Sequence, residues 1–336
     1  MKILYHVSTL PPKILQAEAI TQEISALQEH FNGQVVWVNP NRRFRYVPRL
    51  FFGFHLLRDL GAREGEVQLH HFYNPDPFPF PYLRRLKKPV LYSITCGVGD
   101  RRPNLRFFSS LRGLLVPDQR SLKRLQAWGL ENTYLARPGI DTSRFSHTPA
   151  PLSSEIRLMV GSAPWTRRQF HTKGVEALLA AAQQSPHLHL TFLWRGVLSE
   201  EIERRVRRLN LDRQVTILDG LVDVNQVLAG VHASIVLAAT PGLVKSYPHS
   251  LLESLAAGKP VLVSRSIPMA DYVEETGCGV SVDQLTPAGI CSALESLICR
   301  YGVLQESARQ VGQRDFSQPA MIASYQKVYA HLVGEE

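Results

Sequence analysis

The 336-residue chain is poor in cysteine and has no long apolar run. Its four cysteines, Cys96, Cys278, Cys291 and Cys299, form no C-x-x-C pair. That excludes a disulfide scaffold and a thiolate zinc cluster and predicts reduced core thiols. No apolar stretch approaches the roughly 18 to 20 residues needed to cross a bilayer. The opening MKILYHVSTL runs straight into a strand pattern instead of a signal peptide. Together these absences predict a cytoplasmic location. With 44% hydrophobic residues the chain has material for two cores, and disorder, collagen and coiled coil are excluded. Acidic residues are short in one half only. Residues 1–150 hold 21 Lys and Arg against 11 Asp and Glu, whereas residues 151–336 hold 17 against 18. A basic first half predicts an anionic partner there, such as nucleic acid, an acidic lipid surface or a phosphorylated substrate.

Short runs rich in Val, Ile and Leu alternate with segments of helical period, the pattern of parallel sheets wrapped by helices. In the first half, strands are expected at Ile3 to Val7, Val35 to Asn39, Val67 to Phe72, Val90 to Thr95, Gly113 to Val116 and Thr133 to Ala136. Ala17, Ile20, Ile24, Leu27 and Phe31 make one apolar helical stripe after the first strand. Ser146 to Ser154 has no period and reads as a linker. The alternation then restarts, with strands expected at Arg157 to Gly161, Leu188 to Leu193, Val215 to Leu218, Ser234 to Ala238, Pro260 to Ser264 and Gly279 to Val282. Helices are expected near Gly174 to Ala182, Glu200 to Leu209, Leu251 to Ala257, Ile290 to Tyr301 and Pro319 to Leu332. The expectation is an α/β protein of two doubly wound, Rossmann-like domains facing a cleft. Residues 1–148 would form the first domain, 149–155 the linker and 156–317 the second domain. Residues 318–336 would form a C-terminal helix returning to the first domain.

The sharpest local signal runs from Lys245 to Pro260 (KSYPHSLLESLAAGKP). Ser250 and Glu253 have the spacing of a capping box, Gly258 suits the left-handed position after a helix, and Pro260 prevents continuation. Those roles explain the residues without any ligand. The same helix start also offers the backbone N–H groups of Ser250 and Leu251 at a positive helix end, suited to a diphosphate.

This stretch resembles the donor-binding signature of the retaining glycosyltransferases of family 4, in which a pair of glutamates precedes an EAxAxGxPV run. Glu253 and the following Ser-Leu-Ala-Ala-Gly-Lys-Pro-Val match the second glutamate and its run. Arg137 to Phe145 (RPGIDTSRF) resembles the family's PNGVDxxxF segment, and Thr172-Lys173-Gly174-Val175 its KG segment. Val215 to Leu221 and Val231 to Leu237 resemble two of its strands, and Ala17-Glu18 echoes a GAE in its first helix. The similar segments occur in order along nearly the whole chain. The resemblance implies the GT-B fold, a nucleotide-sugar donor held by the second domain, an acceptor held by the first, and no cofactor. It implies that Glu253 binds the donor ribose and that Lys173, with Arg167 or Arg168, neutralises the diphosphate. For the arginines the plain alternative is a solvated loop pair.

Two positions depart from the family. Lys245 stands where the first glutamate contacts the donor sugar, and Cys96 where a histidine is usual. A lysine can stabilise leaving-group charge or pair with a carboxylated sugar, but it cannot accept a hydroxyl hydrogen bond as glutamate does. Tyr247 and His249 would face the sugar or lie on a surface loop. Pro11, Pro12 and Lys13 occupy the first strand-to-helix loop, whose backbone would face the reaction centre. His70 and His71 end a strand and read first as structural. No Asp-x-Asp occurs, which disfavours a metal-held diphosphate, and no metal site is expected.

Arg42 to Arg58 interleaves aromatics with five arginines. Such a surface suits an anionic membrane, with its aromatics at the interface. The alternative is a helix with Phe and Leu in the core and its arginines in water. No nucleic-acid module accompanies the charge. The leading expectation is thus a metal-independent, retaining sugar transferase, cytoplasmic and peripheral at the inner face of a membrane, acting on a sugar, glycan or lipid-linked acceptor. Its rivals are a non-catalytic nucleotide-sugar-binding or scaffold protein, motivated by Lys245 and Cys96, and a nucleotide-sugar epimerase.

Overall fold

The computed structural model describes residues 1–12, 19–42, 46–194 and 197–334. The chain divides into two compact units, Met1–Gly139 with Gln318–Glu336, and Ile140–Ser317.

Unit 1 holds β1 (Ile3–Val7), α1 (Ala19–Phe31), β2 (Gly33–Trp37), α2 (Leu57–Arg63), β3 (Leu69–Asn74), β4 (Val90–Ile94), α3 (Leu105–Phe108), β5 (Gly113–Val116), α4 (Gln119–Ala127) and β6 (Thr133–Leu135). The strands make one parallel sheet in the order β2-β1-β3-β4-β5-β6. Every residue of β1, β3, β4 and β5 is buried. This is why they read as near-continuous apolar runs: helices cover both faces of the sheet. The order reverses between β1 and β3, and ligands of such sheets bind outside the strand ends at that switch point.

Unit 2 holds β7 (Ile156–Val160), α5 (Arg167–Thr172), α6 (Val175–Gln184), β8 (Leu188–Trp194), α7 (Ser199–Arg208), β9 (Val215–Asp219), α8 (Val224–Gly230), β10 (Ala233–Val236), α9 (His249–Ala256), β11 (Val261–Ser264), α10 (Met269–Thr276), β12 (Gly279–Val282), α11 (Pro287–Cys299) and α12 (Tyr301–Asp315). Its parallel order is β12-β11-β10-β7-β8-β9. Here the switch point lies between β7 and β10.

The last helix, α13 (Gln318–Val333), belongs to unit 1. Its buried Met321, Tyr325, Val328, Tyr329 and Leu332 pack in the cluster of β1 and α1. Tyr329 Oη lies 2.7 Å from His71 Nδ1, and Tyr325 donates to Glu23 at 2.7 Å.

Two expectations need correction. The division falls at Gly139 and Ile140, ahead of the expected linker, and the 146–154 stretch is tied into unit 2. There Ser146 N donates to Asn225 at 2.9 Å, and His232 Nε2 lies 3.2 Å from the Pro151 carbonyl. The helix expected near Ile290 to Tyr301 is α11, which ends at Cys299; Arg300 (φ −109°, ψ 12°) interrupts the chain, and Tyr301 starts a further helix, α12, that was not expected. The Ala17 end of the first helical stripe lies outside the described residues. No helix among the described residues is long and apolar enough to cross a membrane.

Candidate functional site

Because β7 and β10 are neighbours at the switch point of unit 2, the loops leaving their carboxyl ends meet. Gly161 follows β7, and a Cβ built on it would lie 2.5 Å from Ser250 Oγ, so the first turn of α9 rests directly on the Gly161 backbone. The chain reaches α9 through Pro248, whose φ and ψ of −64° and 126° place it outside the helix as its N-cap. No side chain caps this end. The capping box expected from Ser250 and Glu253 therefore does not form. Ser250 is inside the helix, two residues past the capping position held by Pro248, and is packed against Gly161. The expected Leu251 N–H is taken up by the Pro248 carbonyl at 2.9 Å, which leaves the N–H groups ahead of it at the positive end of the helix.

The β7 exit loop closes on Lys173. This residue is buried, and its Nζ donates to the Ala163 carbonyl at 3.0 Å. Gly174 follows with φ of +65°, the left-handed turn that lets α6 start where a Cβ would strike Leu237 and Leu285. Arg167 and Arg168 form the exposed first turn of α5. Trp165, in the same loop, is also exposed, and its N–H donates to Gln169 at 2.7 Å.

On the β10 side, Lys245 is half-buried. His249, the first residue of α9, has both ring nitrogens shielded from solvent with no hydrogen-bond partner among the described residues. Burial, helped by the Lys245 charge, holds its imidazole well below its ordinary pKa and keeps the ring neutral. His249 is therefore not a surface-loop residue. Tyr247 is buried, its ring 6.1 Å from that of Tyr272 and 5.6 Å from that of Phe316. Leu251 is core. Glu253 is half-buried within α9. Unit 2 thus brings together the β7 exit loop, Lys173 and the α9 start, with Lys245 and His249 beside them.

In unit 1, Cys96 is half-buried just after β4, its N–H donating to the Pro75 carbonyl at 3.0 Å. Pro12 is described, and Lys13 lies outside the described residues. His70 and His71 stand at the start of β3, not at the end of a strand as expected, and are structural. His6 Nε2 lies 2.9 Å from His70 Nδ1, Tyr82 Oη lies 3.0 Å from His6 Nδ1, and His71 Nε2 lies 2.7 Å from Ser93 Oγ. Sequence reasoning missed a polar cluster at the unit 1 switch point. Ser8, after β1, donates to Asn74 Oδ1 at 2.5 Å, and Arg49 donates to Asn74 at 3.1 Å and to Asp76 at 3.1 Å. The Arg49 hydrogen bonds and charge hold the Asp76 carboxyl below its ordinary pKa, against the opposing effect of burial. No motif marked these residues, since only the strand order brings them together. No group of three His, Cys, Asp or Glu is placed to hold a metal among the described residues.

From Arg42 to Arg58, residues 43–45 and the Arg42 side chain lie outside the described residues. The remainder is not one helix but two short 3-10 turns, Arg49–Phe51 and Phe54–Leu56, leading into α2. Phe52 enters the core, whereas Tyr46, Leu50, Phe51 and Phe54 are exposed.

Residues 163–314 match the sequence model of the family described as Glycosyl transferases group 1. A GDP-mannose-dependent alpha-(1-6)-phosphatidylinositol dimannoside mannosyltransferase of Mycobacterium tuberculosis is 24% identical over 181 residues. That match covers 51% of this chain and 45% of the relative, so the chain spans less than half of the relative's length. Among solved structures, a glycosyltransferase from Rickettsia africae superposes with a TM-score of 0.75 at 11% identity, covering 99% of each chain. Anabaena Alr3699/HepE in complex with UDP does so with 0.69 at 15% identity, over 98% of this chain and 100% of that one. These likenesses establish the fold. The chain has the GT-B fold, and residues 163–314, within its second unit, resemble the Glycosyl transferases group 1 family.

Proposed function

We propose that this protein is a glycosyltransferase of family 4 type that moves a sugar from a nucleotide-sugar donor, held by unit 2, to a hydroxylated acceptor held by the basic unit 1. The observation carrying this reading is the contact of Gly161 with Ser250, which sets the N-terminus of α9 against the loop closed by Lys173. A helix N-terminus free of a side-chain cap, beside a buried ammonium, suits a diphosphate. Two similar proteins support it: the Anabaena protein binds UDP, and the mycobacterial relative uses GDP-mannose.

In this reading Glu253 accepts hydrogen bonds from the ribose diol. Lys173, joined by Arg167 or Arg168, neutralises charge that grows on the leaving diphosphate. Lys245 and His249 meet the donor sugar. The reaction retains configuration without a metal or cofactor: the donor phosphate accepts the acceptor proton on the face from which it leaves, while the protein positions groups and stabilises charge. The exposed Tyr46, Leu50, Phe51 and Phe54 with the excess positive charge of the first half support docking on an anionic membrane surface. That docking predicts co-sedimentation with phosphatidylglycerol vesicles, lost when Phe51 and Phe54 become serine.

The test is a search for product with neutral, acetylated and acidic nucleotide sugars, alongside calorimetry with nucleoside diphosphates. Turnover rejects the non-catalytic binding protein, which Lys245 and Cys96 would otherwise favour. A product isomeric with the donor would point to an epimerase. Failure to bind any nucleoside diphosphate overturns the proposal. Lys245→Glu should shift donor preference toward neutral sugars, and unchanged preference would remove Lys245 from the sugar site.

A further inference from the structure

Unit 1 contains a pocket of about 510 Å³ beside the edge strand β2, within the range of roughly 300 to 1,000 Å³ of small-molecule sites. One wall is β2 with Trp37 and, just beyond it, Asn39; the other is the helical segment ending in α2. His55, Asp59 and Arg63 line it at intervals of one helical turn, and Leu60 from the same segment supplies apolar lining. Asp59 and Arg63 are exposed, so their polar ends remain in water while Leu60 is buried.

We propose that this pocket binds an uncharged glycan. Its chemistry separates the ligand classes. An acyl chain would use the apolar lining alone and give the charged ends of Asp59 and Arg63 nothing to bond. A phosphate or polyanion that reaches Arg63 also meets the Asp59 carboxylate one turn away. A sugar ring fits both surfaces: its vicinal hydroxyls donate to a carboxylate and accept from a guanidinium, and its C–H face lies on apolar side chains. The carboxylate and guanidinium offset each other in charge, within a half of the chain that is otherwise strongly basic. The role of the pocket rests on the transferase reading above, in which it grips acceptor residues remote from the one being glycosylated. The glycan binding itself does not require that reading.

The experiment is saturation-transfer NMR on the full chain with maltotriose and mannotriose as probes, repeated on Asp59→Asn and Arg63→Gln. Both side chains are exposed, so the variants keep the fold. The expected result is saturation of sugar-ring protons by the wild type, with affinity about tenfold lower in each variant, as loss of a hydrogen bond to a charged group implies. Nucleoside diphosphate affinity should be the same in all three proteins. No saturation with either trisaccharide overturns the proposal. So does saturation unchanged in both variants, or displacement of the sugars by inorganic phosphate. Binding of an extended tetrapeptide in place of the sugars also overturns it and assigns the groove to strand addition on β2. A wild type that binds trisaccharide but no nucleoside diphosphate refutes the transferase reading alone.

Discussion

Gly161 and Ser250 approach so closely that no other residue fits at position 161 while α9 stays where it is: a Cβ there would lie 2.5 Å from Ser250 Oγ. Gly161 lies on the loop that leaves β7 and Ser250 in the first turn of α9, the helix that follows the neighbouring strand β10, and their contact fixes the distance between the β7 exit loop and the α9 N-terminus.

Gly161→Ala should therefore push α9 off the loop. We expect nucleoside diphosphate affinity to fall about tenfold and stability by about 1 to 3 kcal/mol, the range for overpacking. The double variant Gly161→Ala with Ser250→Gly should recover most of the affinity. Calorimetry and melting on the four proteins of this cycle decide it, and strictly additive losses would show that the contact is not the cause.

Lys173→Met removes the buried ammonium that donates to Ala163. Affinity for the nucleoside diphosphate should drop while affinity for the bare nucleoside stays within about twofold, because only the diphosphate has charge to match. Glu253→Gln should show no such selectivity, weakening nucleoside and nucleoside diphosphate alike by about 1 to 3 kcal/mol. Calorimetry with the paired ligands separates the two roles.

Lys259 is fully buried, and its ammonium has no hydrogen-bond partner among the described residues. Burial, with the nearby Arg157 charge, pulls its pKa from 10.5 down to about 8. Between those values the unfolded chain holds more protons than the folded one, so stability rises as pH climbs through that window, and the full penalty is present below it. Lys259→Met should stabilise the fold at pH 7 by about 1 to 3 kcal/mol. The gain should fade as the pH approaches 10.5. Urea unfolding at neutral and alkaline pH measures it, and a gain that does not change with pH would contradict the buried-charge explanation.

His249 stays neutral in the fold, held well below 6.5 by burial and Lys245, while the unfolded chain takes up its proton below that pH. Folding therefore loses stability as pH falls from about 6.5, and buried His6 and His71 add to the same slope. His249→Leu should flatten this slope, and because neither ring nitrogen is bonded it should cost no stability at pH 7.5. Its effect on donor preference is a separate readout: unchanged preference would place the ring away from the sugar.

The strands were legible because parallel strands buried on both faces must be apolar throughout. The twelve expected strands all exist, with ends shifted by a few residues. Short helices were harder to read. α8 and α10 are seven and eight residues long, and the apolar stripe of so short an element covers two turns at most. Within the candidate site, Lys173 and the run from Lys245 to Pro260 stood out as local motifs, but orientation did not. Tyr247 is drawn inward by Tyr272 and Phe316, which follow it in the chain, and Ser250 packs on Gly161 in place of capping. The polar cluster of Ser8, Arg49, Asn74 and Asp76 carried no motif at all.

The sequence by itself determined the two α/β units, the lopsided charge and the residue types available for a diphosphate, because burial periodicity, composition and turn chemistry are local properties. Tertiary structure alone decided which of those residues meet. Pairing β10 with β7 sets Ser250 on Gly161, and pairing β1 with β3 sets Ser8 on Asn74. Strand order is fixed by the packing of whole helices and sheets, so no local pattern around any one of these residues encodes it.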